Sequence, residues 1–442
     1  MQKIRGAEQF GTGSVMSILM RIAPPVMLAQ LIQAMYNIVD SYFVGKFSDV
    51  GLTALSAVYP MQLLITALAV GTGSGVNALM AQRYARRDTN GADEVGGTGI
   101  FLAIISWAVF AVFAVAVLRP FARVSVQSEA AVEAVVIYGR IVCIGSLGSF
   151  LEGCFTKIHQ AQGNMLLPTL AQVAGAVTNI ILDPLLILGV GIFPEMGVAG
   201  AAIATIIWQF VSAVITGIHG RRRIPKPEAL RRCIRPIYHF GFPSIFMQGL
   251  YVVYIMLLNV ILSGFTDSAL TVLGLYYKLQ SFFFIPLFAL DTCIVPKLSF
   301  NYSRGEYDRC RGTVRCTMYI SLALMAIGVF CFEVLPAPLI KIFSQSTEVL
   351  TIGIPAFRII GASFLPAVFS LTVPSIFQAL GKAKESVFLS LLRQIICLVP
   401  IFWIMSFIGL GYTWIAFPAA ELITTIGGGG MYLRELKNWK GR

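Results

Sequence analysis

Twelve times along this chain an apolar run of membrane-crossing length is closed by a polar or charged cluster, and that rhythm limits the fold more than any single motif. The runs fall near 22–45, 51–80, 97–118, 134–156, 166–190 and 196–218, then near 237–262, 269–296, 314–336, 350–380, 386–408 and 411–433. Each can supply the roughly 20 helical residues that cross a hydrocarbon core about 30 Å thick. The balance of 57% hydrophobic to 12% charged residues, with a mean hydropathy of +0.79, lies far outside the range of a soluble globular domain. Twelve crossings use most of the 442 residues and leave no room for a sizeable soluble domain. The expected fold class is all-α integral membrane, with twelve transmembrane helices.

A net charge of +12 raises the question of nucleic acid, and the positions of the 33 Lys and Arg residues answer it. Of these, 25 fall at the N-terminus, in alternate loops (83–87, 157, 221–235, 297–315, 382–384) and in the C-terminal tail. The loops on the other side hold Lys46, Arg119, Arg123 and Lys341, and Arg140, Lys278, Arg358 and Arg393 lie in or near crossings. By the positive-inside rule the charge is a topology signal, not a nucleic-acid site. Both termini are expected in the cytoplasm of a multi-pass protein of the bacterial inner (plasma) membrane. The most polar stretch, His219 to Pro236, carries three prolines and seven basic residues in addition to its acidic Glu228, and reads as a solvated cytoplasmic linker. It divides the chain into a six-helix lobe at 1–218, a linker at 219–236 and a second six-helix lobe at 237–442.

An internal repeat supports that division. Slid along itself until Pro25 falls on Pro243, the chain also brings Gln30 onto Gln248, Tyr36 onto Tyr254, Tyr59 and Gln62 onto Tyr277 and Gln280, and Arg140 onto Arg358. The same shift brings Gln160-Ala161 and Gly163 onto Gln378-Ala379 and Gly381. One constant offset that matches Gln, Arg, Pro and Gly over so long a span identifies two copies of one unit. With an even number of helices per copy, the pseudo-two-fold axis runs along the membrane normal and the cleft between lobes is the expected substrate site.

The same shift sends Asp40 to Leu258, Glu152 to Ser370, Asp183 to Ile401 and Thr205 to Ile423, so the acidic machinery is expected in the first lobe alone. A carboxylate at mid-membrane costs about 2.5–3.5 kcal/mol on insertion scales and calls for a role. Asp40 lies 15 residues past Pro25 and Asp183 lies 15 past Pro168, which puts each about 22 Å into the membrane. Thr205, on a helix entering from the other side, reaches a similar depth. Asn179 stands one turn before Asp183, and Tyr36 and Asn37 one turn before Asp40. Two carboxylates, amides and a hydroxyl suit a hard cation or a proton. Asp183-Pro184 is also a helix-start signature, but a helix beginning there would run only about ten residues to Pro194, too few to cross. A continuous helix bearing a proline kink is expected instead. Glu152 either joins the substrate site or pairs with a neighbouring helix. Asp291, Glu333 and Glu421 lie nearer segment ends and read as interfacial or packed.

These residues carry a family resemblance. PPVMLAQLIQAMYNIVDSYFVGK (Pro24 to Lys46), QAQGN (Gln160 to Asn164) and NIILDPLLILG (Asn179 to Gly189) resemble the bacterial-type multidrug and toxic compound extrusion (MATE) transporters over essentially the whole chain. The resemblance implies secondary active antiport: export of amphipathic, cationic compounds against inward H+ or Na+ by alternating access. It assigns ion coupling to Asp40, Asn179, Asp183 and Thr205, with Asp40, Asn179 and Asp183 holding Na+ if sodium is the coupling ion. The acids that some branches carry on helices seven and ten of the second lobe are missing around Leu258 and Ser370, which favours coupling in the first lobe.

Ion loading would neutralise the first lobe and release a bound cation, since ion and substrate compete for one negative charge. Cleft-facing substrate candidates are Gln33, Tyr36, Met61, Gln62, Glu152, Met247, Tyr277 and Gln280, together with Phe282 to Phe284, because polarisable and aromatic groups suit promiscuous cation contacts. The sequence predicts no cofactor, and as partners only small-molecule cations and the lipid bilayer, with the chain a monomer. GTGSG (Gly71 to Gly75) lacks the Lys-Ser/Thr ending of a phosphate loop and reads as a close helix contact, while Gly427 to Gly430 reads as a flexible or tightly packed helix end. Three scattered histidines and eight cysteines without a CxxC pair support neither a metal centre nor a disulfide framework. Two other classes stay open: a lipid-linked precursor flippase, which would need a large cationic cleft, and a membrane-embedded transferase, which would need a clustered catalytic constellation. An enzyme is not expected.

Overall fold

The computed structural model describes residues 7–126, 128–191, 193–344 and 346–440; within them the side chains at 36–38, 41, 45, 49, 52, 267 and 440 lie outside the description. All regular structure among the described residues is helical. The helices are α1 (Val15–Phe47), α2 (Asp49–Ala85), α3 (Thr89–Ser125), α4 (Glu129–Gly145), α5 (Leu147–Ala161), α6 (Leu166–Ile187) and α7 (Gly197–Gly220). They continue as α8 (Pro227–Leu262), α9 (Asp267–Phe283), α10 (Ile285–Ser303), α11 (Tyr307–Val334), the short α12 (Pro336–Lys341), α13 (Thr347–Gly361), α14 (Phe364–Ala379) and α15 (Ala383–Leu391). A π-helical stretch (Leu392–Leu398) leads into α16 (Val399–Ser406), followed by the short α17 (Leu410–Thr413) and α18 (Ala416–Lys440).

Eight of these rods are long and apolar enough to cross a membrane, the α15–α16 rod counted as one. Three further crossings are bent pairs: α4 with α5 at 41°, α9 with α10 at 51°, and α13 with α14 at 54°. The twelfth expected crossing is α18, whose Glu421, two threonines and four consecutive glycines make it less apolar than the rest.

The internal repeat reappears as geometry. Ser48 caps α2 by accepting from the Gly51 N–H, and its counterpart in the second copy, Thr266, caps α9 by accepting from that of Ala269. Ser128 and Ser346 cap α4 and α13 in the same way. Short polar side chains at these four positions satisfy N–H groups that a helix start leaves free. The turns also match: Gly163 and Gly381 both have positive φ, 76° and 78°, a left-handed conformation in which glycine carries no Cβ penalty. At the next pair of turns the left-handed residue is Arg87 in the first copy and Gly305 in the second.

Backbone contacts gather the chain into two compact units. One holds Arg21–Gln248 with the described residues up to Thr12; the other holds Gly13–Met20 and everything from Gly249 on. In the first unit Gly71 and Gly75 of α2 meet the first half of α8, where a Cβ on Gly75 would sit 2.0 Å from the Ile237 carbonyl oxygen. GTGSG is thus the close helix contact expected of it. In the glycine run of α18, a Cβ on Gly427 or Gly428 would make ordinary contact with Leu392, or with Leu389 and Val373, whereas Gly429 and Gly430 have nothing within 4 Å of a built Cβ.

The polar stretch His219 to Pro236, expected as a solvated linker, is mostly exposed and partly helical. It is the end of α7, six residues outside any helix, and the first ten residues of α8. Proline at the first helical position starts α8 because its missing N–H has no intrahelical partner there in any case.

Candidate functional site

The local sequence of α6 explains where its acid points. Pro184 lies inside the helix, not at its start, so Asp183 is a side chain within a continuous rod and not a cap. Asn179 and Asp183 stand one turn apart and share a face, and Asn179 Nδ2 donates to Asp183 Oδ1 at 3.2 Å. Both residues are fully buried.

The packing of α6 against its neighbours brings two further groups to this turn. Thr169 Oγ1 donates to the Pro25 carbonyl at 2.8 Å and so fixes α1 beside α6. At its far end α1 reaches the start of α7, where Phe47 meets Gly197. An equal advance from the Thr169 contact brings Asp40 level with Pro184, and the Asp40 charge acts on Asp183. Antiparallel α7 is held just as closely: a Cβ on Gly200 would sit 2.5 Å from the Leu186 carbonyl oxygen, and one on Gly175 would sit 2.9 Å from that of Trp208. A little more than halfway from 200 to 208, Thr205 falls a little more than halfway from 186 to 175, at the Asn179–Asp183 turn.

Asp40 and Thr205 are also buried, and Asp40 Oδ1, Asn179 Oδ1 and Asp183 Oδ2 have no hydrogen-bond partner among the described residues. Three unbonded oxygens on buried side chains, two of them from carboxylates, form an acceptor set without a donor. A proton or a hard cation is the species that satisfies such a set. The side chains of Tyr36 and Asn37 lie outside the described residues.

The expected substrate residues scatter over several environments. Gln33 lines a small crevice with Gln172, Ala176 and Trp208. Gln172 donates to Glu152 Oε1 at 3.4 Å, and Thr156 Oγ1 donates to the same oxygen at 2.7 Å, so Glu152 is bonded to its own helix and to α6. Met61 is buried, and Gln62 donates to the Tyr138 hydroxyl at 3.1 Å across to α4. In the other unit Gln280 is buried, and Tyr277 joins Tyr251, Tyr254 and Tyr276 in an aromatic cluster of edge-on and tilted rings. Met247 is half-buried on α8. Phe283 and Phe284 pack onto Phe332 and Phe364, as helix-joining core.

The second lobe holds a buried charge pair of its own. Glu421, read as interfacial or packed, is 7% exposed and forms a two-pronged ion pair with Arg393: Nη2 donates to Oε1 at 2.7 Å and Nε to Oε1 at 2.9 Å. Ser370, the repeat counterpart of Glu152, donates to Glu421 as well. Arg393 sits in the π-helical stretch, and the pair lies within electrostatic reach of Tyr254 and Tyr276. Asp291 on α10 accepts from Ser375 Oγ at 3.4 Å. Arg393 and Glu421 stand on different helices with α16 and α17 between them in the chain, so no local motif joins them. The signal available in sequence was the opposite charge of two intramembrane residues, each read singly.

The MatE family model matches residues 25–185 and again residues 243–404, and the two matches begin at Pro25 and Pro243, the pair of prolines that heads the repeat. The chain belongs to the MatE family. It is 21% identical to the FAD transporter of Shewanella oneidensis over 92% of each chain, and 23% identical to the probable multidrug resistance protein NorM of Thermotoga maritima over 78% of this chain and 75% of that one. Its fold matches that of a MATE transporter solved in complex with MaL6, with a TM-score of 0.90, 21% identity and 99% of each chain covered. The MatE chain is therefore an all-α membrane transporter and not an enzyme, and the flippase and transferase readings give way to the family's own.

Proposed function

We propose that this MatE transporter is a secondary active antiporter of the bacterial inner membrane. It exports amphipathic, cationic compounds in exchange for H+ or Na+, with both termini in the cytoplasm. The observation that carries the reading is the buried first-lobe acceptor set, in which Asp40, Asn179 and Asp183 each leave an oxygen unbonded beside Thr205. The coupling ion is cargo at this site: a proton would neutralise one carboxylate, and Na+ would take the free oxygens as ligands.

Loaded and empty sites differ by a full charge in a buried setting, so the ion favours whichever arrangement of α1 and α6 brings those oxygens together. Pro184 deprives the Ile180 carbonyl of its helical partner and gives α6 a place to bend. Alternation of the lobes at 1–218 and 237–442, joined through 219–236, would follow from that bend. Glu152 and Gln33, with Tyr36, Gln62 and Tyr277, are the groups offered to the substrate.

A second cargo is favoured by one observation. The Shewanella relative is named for FAD, an aromatic molecule, and the second lobe of this chain carries a cluster of four tyrosines, Tyr251, Tyr254, Tyr276 and Tyr277. The deciding experiment uses purified protein in sealed vesicles under an imposed proton or sodium gradient, with a cationic dye and FAD offered in turn. Gradient-driven dye export by the native chain that is lost in both Asp40→Asn and Asp183→Asn supports the cation antiporter. Undiminished export in both variants sinks the coupling site, and export of FAD alone replaces the cargo.

A further inference from the structure

The extended segment between α7 and α8 is seated on α3. A Cβ on Gly97 would sit 2.0 Å from the Arg223 carbonyl oxygen, so glycine there lets the segment lie this close, and one on Gly96 would press on Arg222 Cγ at 3.0 Å. Between the segment, the first turn of α8 and the start of α3 an open pocket of about 760 Å3 remains. That volume falls within the range of about 300–1,000 Å3 that small-molecule sites occupy.

The pocket has a fixed basic floor. Arg222 is 8% exposed; its Nε lies 2.8 Å from Asp93 Oδ1, and its Nη1 donates to the carbonyls of His219 at 2.9 Å and Arg221 at 2.8 Å. Arg232 Nη2 donates to Glu94 at 2.8 Å on the wall. Both acids that α3 turns to the pocket are thus already matched by arginines. Arg221, Arg223 and Lys226 line it in addition and are exposed, so five cations face three carboxylates when Glu228 is counted. The first turn of α8 also contributes to the lining, and the N–H groups at a helix start favour anions.

We propose that this pocket binds a phosphate group, carried either by the headgroup of an anionic phospholipid or by a soluble phosphate ester. Planar guanidinium groups match phosphate oxygens, and the excess of two positive charges suits that ligand where a neutral one would leave it unbalanced. Basic pockets at the cytoplasmic ends of membrane helices take lipid phosphates in this manner. An occupant bridging Arg223 and Lys226 to the start of α8 would hold the segment on α3 and so stabilise the folded chain.

The test is the thermal unfolding midpoint of the full-length protein in two arms. In detergent, millimolar glycerol 1-phosphate is compared with chloride at matched ionic strength. In nanodiscs, phosphatidylglycerol is compared with phosphatidylcholine alone. A rise of a few degrees in either arm, lost in the double variant Arg223→Gln/Lys226→Gln but kept in Arg434→Gln/Lys437→Gln, is the expected result. A rise only in nanodiscs assigns the site to lipid, a rise only in detergent assigns it to a soluble ester, and a rise in both assigns it to the phosphate itself. No rise in either arm, a rise that survives in the first double variant, or one lost equally in the second would overturn the proposal.

Discussion

Asn179 and Asp183 are joined across one turn of α6 by a hydrogen bond of 3.2 Å that uses one carboxylate oxygen and leaves the other free. The amide therefore acts as a tether, holding the acid in the rotamer that offers Oδ2 to an ion. An N–H donor favours the ionised carboxylate, and hydrogen bonds to charged groups contribute about 1.5–3 kcal/mol, so Asn179→Ala is expected to ease loading by about 10–100-fold if the ion is H+, and to weaken it through the lost Oδ1 ligand if the ion is Na+. The measurement is the external H+ or Na+ concentration that gives half-maximal dye export in vesicles. An unchanged half-maximal concentration would leave Asn179 with no part in coupling.

Gly75 is a test of the α2–α8 contact that does not touch the ion site. A methyl group there would sit 2.0 Å from the Ile237 carbonyl oxygen, and backbone cannot swing aside as a side chain can. Gly75→Ala is expected to destabilise the folded chain by about 1–3 kcal/mol. Gly429→Ala, with open space around the new methyl, serves as the neutral comparison. Denaturant unfolding of the two variants in detergent checks the difference, and equal midpoints would remove the contact from the account.

Helix positions were legible because crossings are long, apolar and closed by Ser, Thr, Asp or Gly at the turns, and the repeat was legible because those closers recur at one spacing. Asn179 and Asp183 could be linked because one turn along one helix is a local relation, and Asp40 and Thr205 joined them because rise per residue fixes depth. Arg393 with Glu421 stayed hidden for the opposite reason: their relation depends on which faces of two separate helices meet. The exposed charges of the segment at 221–226 were legible in sequence, but its seat on α3 was not, because the glycines that make room for it lie far back along the chain.

The Arg393–Glu421 pair predicts a pattern that a single substitution would misreport. Arg393→Leu leaves Glu421 buried with only Ser370 to partner it, and removing one member of a buried pair costs about 3–5 kcal/mol. Replacing both, as Arg393→Leu with Glu421→Leu, removes the unpaired charge along with the pair. The double variant is expected to recover most of the lost stability, as read from unfolding midpoints and the yield of monodisperse protein. If the double variant were as unstable as the single one, the pair would be valued for something other than mutual neutralisation.

Glu435, beyond the expected crossing in α18, supplies a pH dependence of definite sign. Burial alone would raise its carboxyl, but hydrogen bonds from Lys382, Trp439 and Asn438 outweigh that and hold it below the usual carboxylate range. A carboxyl depressed in the folded state adds stability above its unfolded value and loses it as pH falls through the folded one. The end of α18 should therefore loosen as the pH drops below the ordinary glutamate range, while Trp439 gives up its contacts with Tyr302 and Tyr307. Hydrogen exchange at the end of α18, followed from neutral to acid pH, should show protection falling in the native chain. In Glu435→Gln it should be low and flat throughout. Parallel curves for the two proteins would assign the acid sensitivity to other groups.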